Sequence, residues 1–164
     1  MARRVFFSFD YDRDVWRVGQ IRNSGLTKPD IETAGFIDSV SWESVKRQTD
    51  EAIARWIITQ LDGTSVTVVL IGAETANSRW VKYEIDQSIL RGNGMLGIYI
   101  HNVKSFLTGQ TDYQGRNPFD ALAFSAFSLY RISEKYRVYD WVLQDGYNNF
   151  GSWVELAAQA AGRY

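Results

Sequence analysis

Short apolar runs alternate along this chain with segments in which apolar residues recur at every third or fourth position. The clearest run, residues 66–71, is β-branched and aliphatic, and it shows no polar alternation. It therefore predicts a strand that is buried on both faces. Shorter apolar runs predict strands at 4–9, 35–38 and 95–100, and the alternating residues 136–141 predict a last strand at the edge of a sheet.

Helices are predicted between these strands, at residues 14–23, 43–61, 118–124 and 150–161. A further helix follows the central strand. It begins after Ser78, which can accept a hydrogen bond from the first free amides, and it ends at Gly92-Asn93-Gly94. Its predicted buried stripe consists of Val81, Ile85, Ser88 and Ile89. The alternation of strand and helix implies an α/β fold with a parallel sheet covered by helices on both faces.

Length, charge and composition narrow the class of protein. With 164 residues the chain suits one domain, which we expect to span residues 1–164. A net charge of −1 gives no electrostatic reason to expect a nucleic acid or a membrane surface as partner. The lack of cysteine, of a signal peptide and of a segment long enough to span a membrane is compatible with a cytoplasmic location.

No metal site is predicted. Asp10, Asp12 and Asp14 are spaced like the start of an EF-hand loop, but the glycine and the distal glutamate of that loop are missing. A cluster of acidic residues at a helix start explains them as well. The single histidine, His101, excludes a multi-histidine site, and a structural role is the safer interpretation. The chain also lacks the serine-hydrolase elbow and both common glycine-rich phosphate-binding motifs.

Acidic and aromatic residues follow three of the predicted parallel strands, at the carboxyl edge where open α/β sheets bind ligands. These residues are Phe9, Asp10, Asp38, Trp42, Trp80 and Glu84. Aromatic residues make up 15% of the chain, and such a surplus can line a pocket for a flat ligand. Glu84 has two interpretations: a solvated glutamate in the first half of its helix, or a functional anion near the indole of Trp80.

Two motifs resemble those of TIR domains. The chain opens with Val5-Phe6-Phe7-Ser8-Phe9-Asp10, similar to the first TIR strand and its acidic turn. Residues 78–85, Ser-Arg-Trp-Val-Lys-Tyr-Glu-Ile, match the signature Ser-x-Trp-Cys-x-x-Glu-aliphatic except that Val81 replaces cysteine on the buried stripe. The resemblance is closer still to the TIR-like ThsB family of bacterial Thoeris anti-phage systems. It covers nearly the whole chain, with divergence expected at 102–116 inside a variable insertion at 102–135.

The resemblance implies a flavodoxin-like, three-layer TIR fold with a mainly parallel sheet. It also implies an NAD⁺-consuming enzyme that cleaves the nicotinamide–ribose bond and makes a cyclic ADP-ribose-type messenger for a separate effector. Glu84 matches the family's catalytic glutamate, and the resemblance carries over a set of substrate-binding residues: Phe9, Asp10, Asp38, Trp42 and Trp80. NAD⁺ would be the substrate, with no cofactor or metal. A phage-derived activator and a homo-oligomer are further partners that the family allows.

Simple chemistry agrees with this expectation. Nicotinamide leaves as a neutral molecule from a cationic ring, so no general acid is needed. One carboxylate can hold the ribose hydroxyls and oppose the charge of an oxocarbenium-like transition state. The alternative is a non-catalytic TIR-like module that acts by self-association, with Glu84 solvated and 38–42 a docking loop. A phosphoacceptor of the receiver type is set aside because no aspartate follows the central strand.

Overall fold

The computed structural model describes residues 3–23, 31–35, 39–120 and 136–164. Its strands are β1 (Arg3–Ser8), β2 (Ile31–Ala34), β3 (Val66–Ile71), β4 (Gly94–Tyr99) and β5 (Val138–Asp140). Within the described residues they form one sheet in the order β2-β1-β3-β4-β5, and every neighbouring pair is parallel. Because this order is that of flavodoxin-like folds, the predicted α/β class is confirmed.

Helices connect the strands. They are α1 (Tyr11–Ile21), α2 (Ser39–Lys46), α3 (Asp50–Leu61), α4 (Arg79–Leu90) and α5 (Gly146–Ala160), with a 3₁₀ turn at Thr75–Asn77. None of the helices in the described part of the chain is long and apolar enough to cross a membrane.

Strand β3 lies at the centre of the sheet, and all of its residues are buried. Its side chains point alternately to the two faces. Val68 and Leu70 belong to a large apolar cluster with residues of α1, α3 and α5. Val69 and Ile71 belong to a second cluster, which includes Val81 of α4. The apolar run seen in the sequence is thus explained, since both faces of β3 are covered.

The second strand was predicted at 35–38, and this placement is wrong. The strand is Ile31–Ala34, paired with β1 so that Phe6 lies opposite Ala34. It ends at Gly35, whose φ of +83° favours glycine and where a Cβ would lie 2.6 Å from the Phe7 carbonyl oxygen. Glu32 in the middle of this edge strand is exposed, so no continuous apolar run marks it. Residues 36–38, including Asp38, lie outside the described residues.

Several helix boundaries also differ from the prediction. The predicted helix at 43–61 is two helices, because Thr49 accepts a hydrogen bond from the Ala52 amide (3.2 Å) and begins α3 anew. Helix α1 begins at Tyr11, directly after the first strand, and α5 begins at Gly146. Of the helix predicted at 118–124, residues 118–120 form a turn and 121–124 lie outside the described residues. Helix α4 begins at Arg79 with Ser78 as its N-cap, as predicted (3.4 Å to the Val81 amide).

Because β4 approaches the backbone of α5 closely at Gly94, we expect the stability of the protein to depend on a glycine at this position. A Cβ added at Gly94 would lie 2.3 Å from the carbonyl oxygen of Ala157 in the α5 backbone. We expect Gly94→Ala to lower the free energy of unfolding by about 1–3 kcal/mol, because backbone atoms cannot swing aside as a side chain can. Urea unfolding followed by circular dichroism would measure it.

Gly151→Ala is the matched control. Nothing lies within 4 Å of a Cβ at this position inside α5. Replacing a helical glycine by alanine should therefore raise stability by about 0.5–1 kcal/mol. Equal stability of Gly94→Ala and wild type would contradict the packing of α5 against β4.

Candidate active site

Glu84 is buried beneath the carboxyl edge of the sheet. Its side chain is 2% exposed, which decides between the two interpretations of this residue that the sequence left open. The reason is its place on α4: it lies three residues after Val81 and four before Ser88, both of which are buried. It thus belongs to the inward-facing stripe. The interpretation of Glu84 as a solvated helix residue is wrong.

A hydroxyl group meets the carboxyl group of Glu84 inside the protein. Ser8, the last residue of β1, donates from its Oγ to Oε2 of Glu84. Ser8 is itself fully buried. Sequence reasoning included Ser8 in the opening motif but gave it no role, although a serine inside a run of buried apolar residues is a signal that a polar partner lies nearby.

Burial decides the charge of Glu84. Loss of solvation raises the pKa of its carboxyl group from 4.5 to about 8, and the hydrogen bond from Ser8 acts in the opposite direction. At neutral pH the carboxyl group is therefore mostly protonated. The pKa of the Tyr11 phenol is also raised. Burial is the larger cause, and the negative charge of the nearby Glu84 is the second.

Phe9, Tyr11 and Trp42 form an aromatic stack beside this pair. The ring centroids of Phe9 and Tyr11 are 4.1 Å apart, and those of Tyr11 and Trp42 are 4.5 Å apart at an interplanar angle of 18°. Trp42 Nε1 donates to Asp12 Oδ1 (3.1 Å), and the Tyr11 hydroxyl donates to the Gly35 carbonyl oxygen. The structure therefore brings Phe9 and Trp42 together, through a tyrosine that sequence reasoning missed.

Trp80 lies one turn before Glu84 on α4 and contacts two of its neighbours on that helix. The ring contacts recorded for it join it edge-on to Tyr83, at 5.8 Å between centroids, and to the guanidinium of Arg79, 4.8 Å above the ring. It is half-buried and packs against the large apolar cluster that also contains Phe9 and Trp42. Trp80 thus shares their core, and its role as a substrate-binding residue stays a prediction.

Asp10 lies between β1 and α1, two residues after Ser8 and at the N-cap position of α1. It is partly buried, and loss of solvation raises the pKa of its carboxyl group while nearby amides of Arg13 and Asp12 lower it. Asp38, the remaining predicted pocket residue, lies outside the described residues. The roles of both as substrate-binding residues stay predictions.

A second buried carboxyl group was missed. Asp14 is fully buried, with Oδ1 2.8 Å from Arg17 Nη1, and loss of solvation raises the pKa of Asp14 to about 6 against the pull of Arg17. Gly72, at the end of β3, makes room for it: a Cβ there would lie 2.0 Å from Oδ2. The ion pair with Arg17 explains why an acidic residue can be buried here. The interpretation of Asp14 as part of an acidic cluster at a helix start did not predict this burial.

No metal centre is found at Glu84 in the described part of the chain. In the described ranges, no three histidine, cysteine, aspartate or glutamate side chains are arranged to hold a metal ion. A cavity of about 710 Å³ lies at the other end of the sheet, where Met95 of β4, Tyr136 and Trp153 of α5 line it. None of the residues predicted for the site lines this cavity.

Residues 6–105 match the family model described as Thoeris protein ThsB, TIR-like domain. The chain belongs to the ThsB family of TIR-like proteins. The matched span contains Ser8, the aromatic stack and Glu84, and so includes the whole arrangement described above.

One ThsB relative extends the match. The chain is 39% identical over 192 residues to a protein of Bacillus cereus (strain MSX-D12) that carries the name "Putative cyclic ADP-D-ribose synthase ThsB1". The alignment covers 94% of this chain and 100% of the relative. The resemblance to ThsB proteins inferred from the sequence is confirmed, while the single domain over 1–164 and the insertion at 102–135 stay predictions.

The buried carboxyl group predicts a pH-dependent stability difference. Between pH 4.5 and about 8 the folded protein holds a proton on Glu84 that the unfolded chain has released, so the stability from this group is full below pH 4.5 and is lost as the pH rises through 8. Glu84→Gln carries no such proton. We expect the variant's melting temperature to rise relative to wild type as the pH increases from 5 to 9.

Differential scanning fluorimetry across this pH range would measure the difference, which corresponds to about 1.4 kcal/mol for each pKa unit between the folded and unfolded states. Glu51→Gln is the control, because Glu51 is an exposed residue in the first turn of α3. It should follow wild type at every pH. A Glu84→Gln curve parallel to wild type would show that Glu84 is not held protonated in the folded protein.

Proposed function

We propose that this chain is an NAD⁺-consuming TIR enzyme of anti-phage defence. It cleaves the nicotinamide–ribose bond of NAD⁺ and forms a cyclic ADP-ribose-type messenger that activates a separate effector. The name of the ThsB relative supports this assignment, since it describes a cyclic ADP-ribose synthase. The observation that carries it is the buried pair of Glu84 and Ser8 at the carboxyl edge of the sheet.

Glu84 is the catalytic residue in this proposal. As the bond to nicotinamide breaks, positive charge develops on the ribose, and a carboxylate next to C1 of the ribose lowers the energy of that state. Burial makes the interaction stronger, because the effective dielectric constant inside a protein is lower than in water. Nicotinamide departs neutral, so the site needs no acid to protonate it.

The raised pKa of Glu84 fits a substrate whose reacting ring is cationic. The carboxyl group is mostly protonated at neutral pH in the free protein, whereas the proposed chemistry requires the anion. A positive nicotinamide ring bound nearby favours the ionised form and lowers the pKa of Glu84. Binding of the cationic nicotinamide ring of NAD⁺ would therefore generate the reactive charge state, and NADH, whose nicotinamide ring is uncharged, would not.

The aromatic stack supports the cyclising form of the reaction. Ring closure needs a nucleophile within the substrate to react in place of water, so water has to be excluded. Phe9, Tyr11 and Trp42 provide apolar surface with flat rings beside the buried carboxyl group. We assign Phe9 and Trp42 to the substrate pocket on this basis, together with Asp10 and Trp80, and we add Asp38 from the sequence resemblance alone. The effector, a phage-derived activator and a homo-oligomer are the proposed partners.

The decisive experiment is mass spectrometry of small molecules from cells that express the protein, with and without phage challenge. We expect an ADP-ribose-derived product in wild type and a loss of about 100-fold or more in Glu84→Gln, because the neutral amide cannot oppose the developing charge. The product's mass separates a cyclic from a hydrolysed form.

Asp86→Asn is the matched control, since Asp86 is an exposed residue on the same helix. It should leave the product level unchanged. Full product formation by Glu84→Gln would remove Glu84 as the catalytic residue. Unchanged NAD⁺ and no new product in wild type under challenge would instead favour the non-catalytic interaction module.

A further inference from the structure

Ser8 is a polar residue in a segment that is otherwise apolar and completely buried. Val5, Phe6, Phe7 and Ser8 are all 0% exposed, and Phe9 is 2% exposed. A hydroxyl group buried without a partner costs free energy, so its presence calls for an explanation. Among the described residues, the hydrogen bond recorded for the Ser8 hydroxyl is the one to Glu84.

The sheet topology brings these two residues together from 76 positions apart. Strand β1 lies beside β3, with Ser8 opposite Val69, and α4 follows β3 and packs over both strands. The last inward residue of β1 therefore lies directly under the carboxyl group of Glu84. This placement depends on backbone register, which does not change with side-chain rotation.

The hydrogen bond occupies one carboxyl oxygen and leaves the other. Ser8 contacts Oε2, and within the described residues no hydrogen bond is recorded for Oε1. A hydroxyl can either donate or accept, so Ser8 can partner the neutral acid and also the anion, where it has to donate. Charge-assisted bonds to an anion are the stronger kind, so Ser8 favours ionisation.

Among the described residues, few other charged or titratable groups influence the carboxyl group of Glu84. Strand β3 contributes no charged residue, and Lys82 and Asp86 of α4 are exposed. From α1, the phenol of Tyr11 lies close enough to interact electrostatically with Glu84, but its hydroxyl donates to the carbonyl oxygen of Gly35. Ser8 is thus the group that can set the ionisation of Glu84 by direct contact.

We propose that Ser8 is a positioning residue that fixes the Oε2 atom of Glu84 by donating a hydrogen bond and thereby determines the pH above which the enzyme is active. The proposal rests on the proposed function, because it assigns Ser8 a role in the reaction of Glu84. Ser8 would act through Glu84 and without contact to NAD⁺. The other oxygen, Oε1, for which the described residues provide no hydrogen bond, would accept the hydrogen bond of a ribose hydroxyl.

Ser8→Ala tests the proposal through the pH profile of nicotinamide release at saturating NAD⁺. Removing the donor makes the anion harder to form, so the acidic limb of the profile should move to higher pH. At pH 7 the rate should fall by about 10- to 100-fold, as expected for loss of a hydrogen bond to a charged group, and it should recover towards the wild-type plateau in alkali.

Ser88→Ala is the matched control. Ser88 is also fully buried, one turn after Glu84, but its Oγ donates to the backbone carbonyl oxygen of Glu84 (2.7 Å) and lies 2.7 Å from Thr67 Oγ1. This variant loses the same hydroxyl without touching the carboxyl group, so its acidic limb should coincide with that of wild type. A shift equal to that of Ser8→Ala would mean that Ser8 has only a packing role.

A second measurement does not depend on turnover. The ¹³C NMR signal of the Glu84 carboxyl carbon, assigned by its absence in Glu84→Gln, can be titrated in wild type and in Ser8→Ala. We expect the midpoint at higher pH in Ser8→Ala. Coincident titration curves would overturn the role of Ser8 and leave the proposed function standing, whereas a wild-type protein that releases no nicotinamide under phage challenge would overturn the proposed function.

Discussion

The side chains at the edge of the sheet where the strands end are arranged around one constraint, the burial of the Glu84 carboxyl group. An ionised glutamate inside an apolar core is costly, so the structure offers Glu84 a hydroxyl partner and holds it mostly protonated at neutral pH. Asp14 shows the other solution, a direct ion pair with Arg17. The two carboxyl groups therefore differ in charge for a physical reason. Asp14 has the guanidinium of Arg17 at 2.8 Å, whereas the side chain that donates to Glu84 among the described residues is the neutral Ser8.

Sequence patterns predicted the centre of this fold well and its edges poorly. The buried strand β3 and the N-cap at Ser78 carry strong local signals, because one is apolar throughout and the other precedes a clear helical stripe. Strand β2 carries neither signal, since only its first and last residues are buried. Its position follows from pairing with β1, which depends on residues distant in the sequence. The break at Thr49 was hidden because the apolar spacing runs on through it.

The candidate site shows the same division. Its residue list came from motif and strand position, and Phe9, Trp42 and Glu84 do lie at one edge, although Trp80 is oriented towards Tyr83. The inward orientation of the Glu84 side chain could not be predicted from the sequence. Positions 81, 84, 85 and 88 form one stripe at helical spacing, yet an acidic residue in such a stripe is ordinarily assigned to solvent. The hydroxyl of Ser8, which lies on strand β1 far away in the sequence, stabilises the inward orientation of Glu84.

In the proposed reaction, burial of Glu84 has two effects, and exposing the side chain to solvent would change both of them together. It excludes the water that would compete with ring closure, and it disfavours the anion that the transition state requires. Opening the site would restore the anion and admit water as well. A hydrogen bond from Ser8 favours the ionised form of Glu84 without admitting water. The positive nicotinamide ring of NAD⁺ does the same when the substrate binds. A buried donor and a substrate with a cationic leaving ring are therefore complementary requirements of a cyclising enzyme, whereas a simple hydrolase could rely on a solvated carboxylate.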